Sequence, residues 1–307
     1  MISMSDEIPK VFKERYAGLV DDEEAFLACL NTLQPRGFRV NTLKASPAMI
    51  KERFSDYGIS LQEVPWYKDA FISDEPDVGA TFEHFTGEIY MQELASMLPP
   101  IAVQKELEKA KYVLDGCAAP GSKTTQMAAM MENKGLIVAN DSSYSRIRAL
   151  KFNQEKTGAI NTVITNKDLR NFPKMQFDIV VLDVPCSSEG TIRKSYGVFS
   201  LWSEKHIKTI SDLQKQLITK GFDLVAPGGT LIYSTCTFAP EENEAVVHHL
   251  LQERPAKMEK IDIPHLKISP PVDEWKNDVF SPEVKNAARI WPHHNNTGGF
   301  FLAKVGK

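Results

Sequence analysis

The chain has 307 residues, 42% of them hydrophobic and 25% charged, enough apolar material for one large or two modest domains with a real core. Its 36 Lys and Arg stand against 40 Asp and Glu, a net charge of −4 with an isoelectric point near 6.0, which excludes a sequence-blind coat for nucleic acid; a polyanion would have to meet a local basic patch. No apolar run approaches the roughly 20 residues of a membrane-spanning helix, and Met1 to Glu7 has neither the basic nor the apolar part of a secretion signal, so a soluble cytoplasmic chain without a membrane partner is expected.

Two short helices are expected within the first 34 residues. Asp21-Asp22-Glu23-Glu24 places acidic groups in a first turn, where the helix dipole favours them, and Cys29 falls on the apolar face that follows. From Arg36 to Tyr90 the pattern predicts a strand at Phe38 to Asn41, a helix after Ser46-Pro47, an alternating strand from Ile59 to Val64 and further short strands, a small α+β module. From Lys111 strands and helices alternate, the rhythm of a parallel sheet with helices on both faces. Strands are expected near Tyr112 to Leu114, Leu136 to Asn140, Thr162 to Thr165, Phe177 to Leu182, Thr230 to Ser234 and Phe300 to Val305. Helices should begin near Ser122, Ser143, Glu204 and Glu241, and Pro255 to Pro292, with six prolines, reads as irregular covering structure.

The four cysteines, Cys29, Cys117, Cys186 and Cys236, form no C-x-x-C pair and have no His neighbour in sequence, so neither a zinc cluster nor a disulfide framework is expected. Cys186 and Cys236 each follow an apolar strand, in Asp183-Val184-Pro185-Cys186 and Ser234-Thr235-Cys236-Thr237. Loops leaving the carboxyl ends of strands line the ligand crevice of an open α/β sheet, so two thiols there point to covalent chemistry, although free cysteines are also commonly buried for packing alone.

Asp115 to Thr124 lies between the first strand of this sheet and its helix, where small residues let backbone approach a ligand at a helix N-terminus. It is neither of two nucleotide motifs: Ser122 intervenes between Gly121 and Lys123 where a P-loop needs the pair adjacent, and Ala118 stands where a dinucleotide loop needs glycine. Asp115, Asp141 and Asp168 follow three successive strands. Carboxylates there suit a ligand with an amino group, a ribose diol and an adenine amine, as in S-adenosylmethionine, while any one of them could simply cap a helix.

Taken with Pro240-Glu241-Glu242-Asn243-Glu244, Arg289-Ile290-Trp291-Pro292-His293, Gly299-Phe300-Phe301, Gly87 to Met97 and Arg39-Val40-Asn41-Thr42, these motifs resemble the RNA cytosine-5 methyltransferase family, also called NSUN or Sun-type, and in compactness its archaeal tRNA enzymes. The resemblance implies a Rossmann-like S-adenosylmethionine-dependent methyltransferase sheet over residues 91–307 and a helical and α+β RNA-binding module over 1–90. It implies that Cys117, Ala118, Ala119, Pro120, Gly121, Ser122 and Lys123 hold the methionine end of the cofactor, Asp141 the ribose and Asp168 the adenine, with Asp183 at the boundary between cofactor and substrate. Three positions depart from the family pattern: Ser122 and Ser188, where glycine is common, and Gly298, where an acidic residue is frequent.

Cytosine C5 is too weak a nucleophile to take a methyl group from a sulfonium unless a thiolate first adds to C6. Cys236 is the expected nucleophile, with Arg193 or Lys194 as candidate cations beside it. By the resemblance Cys186 is the base that removes the C5 proton, and Asp183 binds the N3 and N4 edge, protonated if it donates to N3. Cys117 is expected to pack, and His293 and His294 to position substrate or lie at the surface. RNA binding is expected at Arg36, Arg39, Asn41 and Lys44 with Arg193 and Lys194, Lys205 and Lys208 being further surface cations. RNA is the expected partner, with no obligate protein partner. A ribosomal RNA methyltransferase, a noncatalytic RNA-binding or ribosome-assembly factor and a methyltransferase for proteins or small molecules are the alternatives; paired thiols beside Asp183 argue against the last two.

Overall fold

The computed structural model describes residues 8–307; Met1 to Glu7, on which the reading of the amino terminus rested, lies outside them. Helices α1 (Lys10–Tyr16) and α2 (Glu23–Leu30) form as expected, the latter capped by the Asp22 carboxylate accepting from the Ala25 amide. They do not join the small module that follows. Phe12, Tyr16 and Phe26 bury instead against Ile192, Phe238 and Trp291, Phe26 meeting Phe238 edge to face at 5.3 Å. Cys29 is only half-buried at the rim of this cluster.

The small module is a four-stranded antiparallel sheet. Strand β1 (Gly37–Val40) is followed by α3 (Pro47–Asp56), capped by Ser46, then β2 (Gln62–Glu63), β3 (Ala70–Ile72), α4 (Phe82–Thr86) and β4 (Ile89–Met91), in the spatial order β2-β3-β1-β4. The alternating segment from Ile59 pairs only at Gln62 and Glu63, because Ile59 turns back to donate its amide to Phe54 and pack on the Phe38, Ile50 and Phe71 core.

Short helices α5 (Leu98–Ala102) and α6 (Gln104–Leu107) lead to the large sheet. Its elements are β5 (Tyr112–Asp115), α7 (Ser122–Met130), β6 (Leu136–Asn140), α8 (Tyr144–Thr157), β7 (Thr162–Thr165), β8 (Phe177–Asp183), α9 (Glu204–Asp223), β9 (Val225–Thr235) and α10 (Glu244–Glu253). Then come β10 (Lys257–Glu259), the β11 (Glu274–Trp275) and β12 (Asp278–Val279) hairpin, β13 (Ala288–Ile290), α11 (Pro292–Asn295) and β14 (Phe300–Gly306). The order is β10-β14-β9-β8-β5-β6-β7, with β13 also on β14. The five strands β5 to β9 are parallel, as the alternation predicts, and β14, β10 and β13 close the edge antiparallel. The proline-rich stretch is therefore not all irregular: its prolines fall between short runs that still donate to the ladder.

Apolar clusters cover both faces of the sheet, one gathering Leu217, Phe222, Val246 and Leu250 from α9 and α10, the other Leu98, Met127 and Ala128 from α5 and α7. Among the described residues no helix is long and apolar enough to cross a membrane. The strand order reverses at β5, whose neighbours are β6 and β8, and a crevice opens at the carboxyl ends of such strands.

Candidate active site

Register brings the two cysteine loops together. Strands β8 and β9 are adjacent and parallel, with Asp183 opposite Ser234, so Cys186 and Cys236 leave neighbouring strand ends. Their sulfurs lie 3.3 Å apart. The Cys186 thiol is pushed far above the ordinary range, first by this contact and then by burial, with the Cys236 and Glu242 charges adding to it. Either sulfur can donate in this contact, which makes the neighbouring thiol, not a cation, the group facing the nucleophile position. Arg193 is no such cation: it is 2% exposed and donates to the Thr32, Leu33 and Thr297 carbonyls and to Asn296, away from the thiols.

Two buried carboxylates hold the loops. Glu189 accepts from the Tyr16 hydroxyl at 2.7 Å, Trp202 Nε1 at 2.5 Å, the Thr237 hydroxyl at 2.8 Å and the Phe238 amide at 3.0 Å, tying α1 and the Cys186 loop to the Cys236 loop. Glu242 accepts from the Ser187 amide at 3.0 Å and Gln214 Nε2 at 2.9 Å, and burial pushes its carboxyl up to about 7. The hydroxyls of Ser187 and Thr237 meet at 2.6 Å, and Gly190 donates its amide to the Cys236 carbonyl at 2.8 Å. A Cβ on Gly190 would stand 2.1 Å from the Gly299 carbonyl oxygen, so only glycine lets this loop lie on the chain before β14. Glu241 to Asn243 form this anchoring turn, which is why α10 starts at Glu244 rather than Glu241. Neither Glu189 nor Glu242 was singled out from sequence; the one available signal was an acidic residue three and six positions beyond the two cysteines.

Asp183 ends β8 with Lys123 Nζ on Oδ2 at 2.6 Å and the Ser234 hydroxyl on Oδ1 at 2.9 Å. Both neighbours donate, so Asp183 accepts at each of its oxygens. Lys123, which also reaches Ser96 Oγ at 2.8 Å, is thereby placed on Asp183 as well as in the motif loop.

The motif loop runs over the carboxyl edges of β5 and β6. Ala118 donates to the Asn140 carbonyl at 2.8 Å and Ala119 to Asp141 Oδ2 at 3.1 Å, while the carbonyls of Ala119 and Pro120 accept from Arg146 and Asn153 of α8. Gly121 stands at the N-cap of α7 at φ +103 with Leu150 packed beneath it, and no side chain caps this helix start. Burial and the charges of Asp115, Asp141 and Asp183 push the Cys117 thiol well up. Asp115 accepts from Thr124 at 2.6 Å, burial raises it to about 7, and its Oδ1 is buried without a partner. Asp168 chelates its own neighbour Arg170 through both oxygens at 2.6 to 3.1 Å. A cavity of about 120 Å³ is lined by Cys117, Asp141, Arg146, Asp168, Leu169 and Pro185. The unpartnered Asp115 oxygen and the two carboxylates on that cavity fit a ligand with an ammonium and a ribose diol.

Half of the expected RNA-binding residues, Arg39, Asn41 and Arg193, are inward. Arg39 is 1% exposed, donating to Gln92 at 2.8 Å and Thr125 at 2.6 Å with its guanidinium over Tyr90. Asn41 is fully buried and binds the carbonyls of Gly87 and Thr157, joining the small module to α8. Neither they nor Arg193 can meet RNA. Arg36, Lys44 and Lys194 are exposed, Arg36 lining a cleft of about 810 Å³ that also touches His293 and His294. Those two histidines place Nε2 on the two oxygens of Asp21 at 3.1 and 2.9 Å, stapling α11 to the start of α2.

The family profile of the 16S rRNA methyltransferase RsmB/F matches residues 102–306, and that of the N-terminal domain of 16S rRNA methyltransferase RsmF matches residues 8–94. A tRNA (cytosine(49)-C(5))-methyltransferase of Pyrococcus abyssi is 41% identical over 310 residues, 98% of this chain and 97% of that protein. Ribosomal RNA small subunit methyltransferase F of Vibrio campbellii is 38% identical over 98% of this chain, which spans 63% of that longer relative. The crystal structure of a methyltransferase homolog protein from Pyrococcus horikoshii superposes with a TM-score of 0.86 at 33% identity, over 98% of this chain and 96% of that one.

Proposed function

This chain belongs to the RsmB/F family of RNA cytosine-5 methyltransferases, with S-adenosylmethionine as methyl donor, and we propose that its substrate is a cytosine of tRNA, methylated in the cytoplasm through a covalent adduct on Cys236. The observation that carries the mechanism is the contact of two thiols at 3.3 Å beside Asp183 on adjacent strand ends. In this reading Cys236, with the Cys186 thiol beside it, is the nucleophile that adds to C6, making C5 electron-rich. Asp183, fixed by Lys123 and Ser234, accepts from the exocyclic amine and orients the ring. S-adenosylmethionine, held by the Cys117 to Lys123 loop with Asp141 on the ribose and Asp168 on the adenine, supplies the methyl group. Once the Cys236 sulfur is bonded to carbon, its contact with the Cys186 thiol, the largest cause holding that thiol up, is relieved. Cys186 then releases that proton to solvent and takes the C5 proton, and the electrons of the C5–H bond expel the Cys236 thiolate.

Division at residue 90 into an RNA-binding module and a catalytic domain is part of this reading, supported by two separate sheets. The tRNA assignment rests on end-to-end correspondence with the Pyrococcus abyssi protein. A second reading, ribosomal RNA, is favoured by the RsmF profile over residues 8–94. Bisulfite sequencing of tRNA and of small-subunit rRNA, each incubated with protein and S-adenosylmethionine, decides between them: cytosine protection confined to rRNA overturns the tRNA assignment. For the mechanism, a denaturing gel should show a protein–RNA adduct accumulating with Cys186→Ala and none with Cys236→Ala; the reverse pattern would mean the two roles are exchanged.

A further inference from the structure

Helix α8 is the most weakly covered long element of the sheet's flanks. Of its 14 residues only Leu150 and Thr157 are buried. Its outer surface carries Arg148 and Lys151, both exposed, and Phe152 is 62% exposed. Such a surface on a chain of net charge −4 is a local reversal of sign. It continues onto α4 at the carboxyl end of α8. There Lys156 Nζ lies 3.3 Å from His84 Nε2 and 5.8 Å from the Phe152 ring centre, and the next residue on α4, Phe85, is 79% exposed.

Lys151 has only the exposed Glu155 at 3.8 Å, and the other cations at this junction lack anions. Lys44 Nζ is bound only by the carbonyls of Thr86 at 2.7 Å and Lys156 at 2.8 Å, and no carboxylate is paired with Lys44, Lys156 or Arg148 among the described residues. Burial lowers the Lys156 ammonium below its ordinary value and the nearby Lys44 charge lowers it further, the mark of cations held together without a counter-charge. A large ring at 62 or 79% exposure beside such cations matches one chemistry, an unpaired polynucleotide strand, which offers phosphates at one edge and base faces at the other. A duplex hides those faces, and an acidic protein has no equal use for both rings.

We infer that the face running from Arg148 and Lys151 through Phe152 and Lys156 to Lys44 and Phe85 docks an unpaired segment of the RNA substrate, phosphates on the cations and bases on the two rings. This rests on the RNA reading above and keeps only Lys44 of the patch expected from sequence, half of which is buried. The same helix reaches the cofactor loop, where Arg146 and Asn153 hold the Ala119 and Pro120 carbonyls.

The test compares the parent with Arg148→Glu/Lys151→Glu and with Phe152→Ala, none of which touches the thiols or the cofactor loop. Binding of the methylatable RNA and of an unpaired oligonucleotide is titrated across salt concentration. The double variant should lose about 1.4 from the slope of log affinity against log salt, two contacts at about 0.7 each. Phe152→Ala should weaken binding about fivefold to a hundredfold with the slope kept, as a lost stacking base would. KM for RNA should rise in both, with kcat at saturating RNA and S-adenosylmethionine affinity unchanged. Variants with the parent's slope, affinity and KM overturn the inference, including the case in which they lose only an acidic protein partner. A parent that binds RNA through this face and methylates none overturns the proposed activity and leaves the docking face standing.

Discussion

Glu242→Gln isolates the energetic cost of the buried acid that anchors the Cys186 loop. Glu242 is fully buried, its Oε1 has no partner, and burial, with Glu189 nearby adding to it, lifts its carboxyl from an ordinary 4.5 to about 7 against the opposing hydrogen bonds from Ser187 and Gln214. A carboxyl whose folded value lies above its unfolded value binds the proton more tightly in the folded state. Its favourable contribution is therefore present below pH 4.5 and is lost as pH rises through about 7. At about 1.36 kcal/mol per unit the whole change is about 3 kcal/mol, and about 2.5 kcal/mol of it falls between pH 5 and pH 8. Asp115, raised to about 7 by burial, titrates in the same window, so the parent should lose more than this alone. The difference between parent and Glu242→Gln removes the Asp115 part, because the amide mimics the protonated carboxyl and keeps an acceptor for Ser187 and Gln214. Urea unfolding of both proteins at half-unit steps from pH 5 to pH 8 measures it. The variant, compared with the parent, should gain about 2.5 kcal/mol across that range. Parallel pH profiles for the two would refute the reasoning and place the Glu242 proton elsewhere.

Three further outcomes follow from the packing around the site. Glu244 and Arg289 form a bidentate ion pair at 2.6 Å with side chains 0 and 3% exposed, so Glu244→Gln should destabilise by about 3–5 kcal/mol in urea unfolding, and Glu244→Leu with Arg289→Met should recover most of it. Ser188 occupies φ +61, and Ser188→Gly should raise stability by up to about 1 kcal/mol, read as a higher urea midpoint at unchanged slope; a lower midpoint would show that its hydroxyl contact with the Cys186 carbonyl outweighs the strain. Gly190→Ala drives a Cβ onto the Gly299 carbonyl, so methyl transfer should fall more than the loss of folded protein measured in parallel explains; equal losses would mean the loop does not shift.

Much of this molecule is legible in the order of its residues because the physical cause is local. Short strands rich in Val, Ile and Leu, separated by helical stretches, can bury both faces only as a parallel sheet. A cysteine just past a strand end must stand at the crevice, and Asp115, Asp141 and Asp168 fall at strand ends for the same reason. Local order does not say which strand lies beside which. That β8 and β9 are neighbours, and so that sulfurs fifty residues apart meet at 3.3 Å, was set by tertiary pairing.

The failures have the same origin. Arg39, Asn41 and Arg193 are polar residue types that solvent usually claims, and only their partners, Gln92 and Thr125, Gly87 and Thr157, Thr32 and Asn296, turn them inward. A buried polar group is affordable when its hydrogen bonds are met, and here most are met by residues dozens to more than a hundred and fifty positions away, Arg39 Nη1 being left without a partner. Glu189 and Glu242 escaped notice for that reason too: a carboxylate becomes an anchor only when distant amides and hydroxyls converge on it. The same convergence carried α1 and α2 away from the small module and onto Phe238 and Trp291, because in the folded chain those rings offered the larger apolar surface to cover.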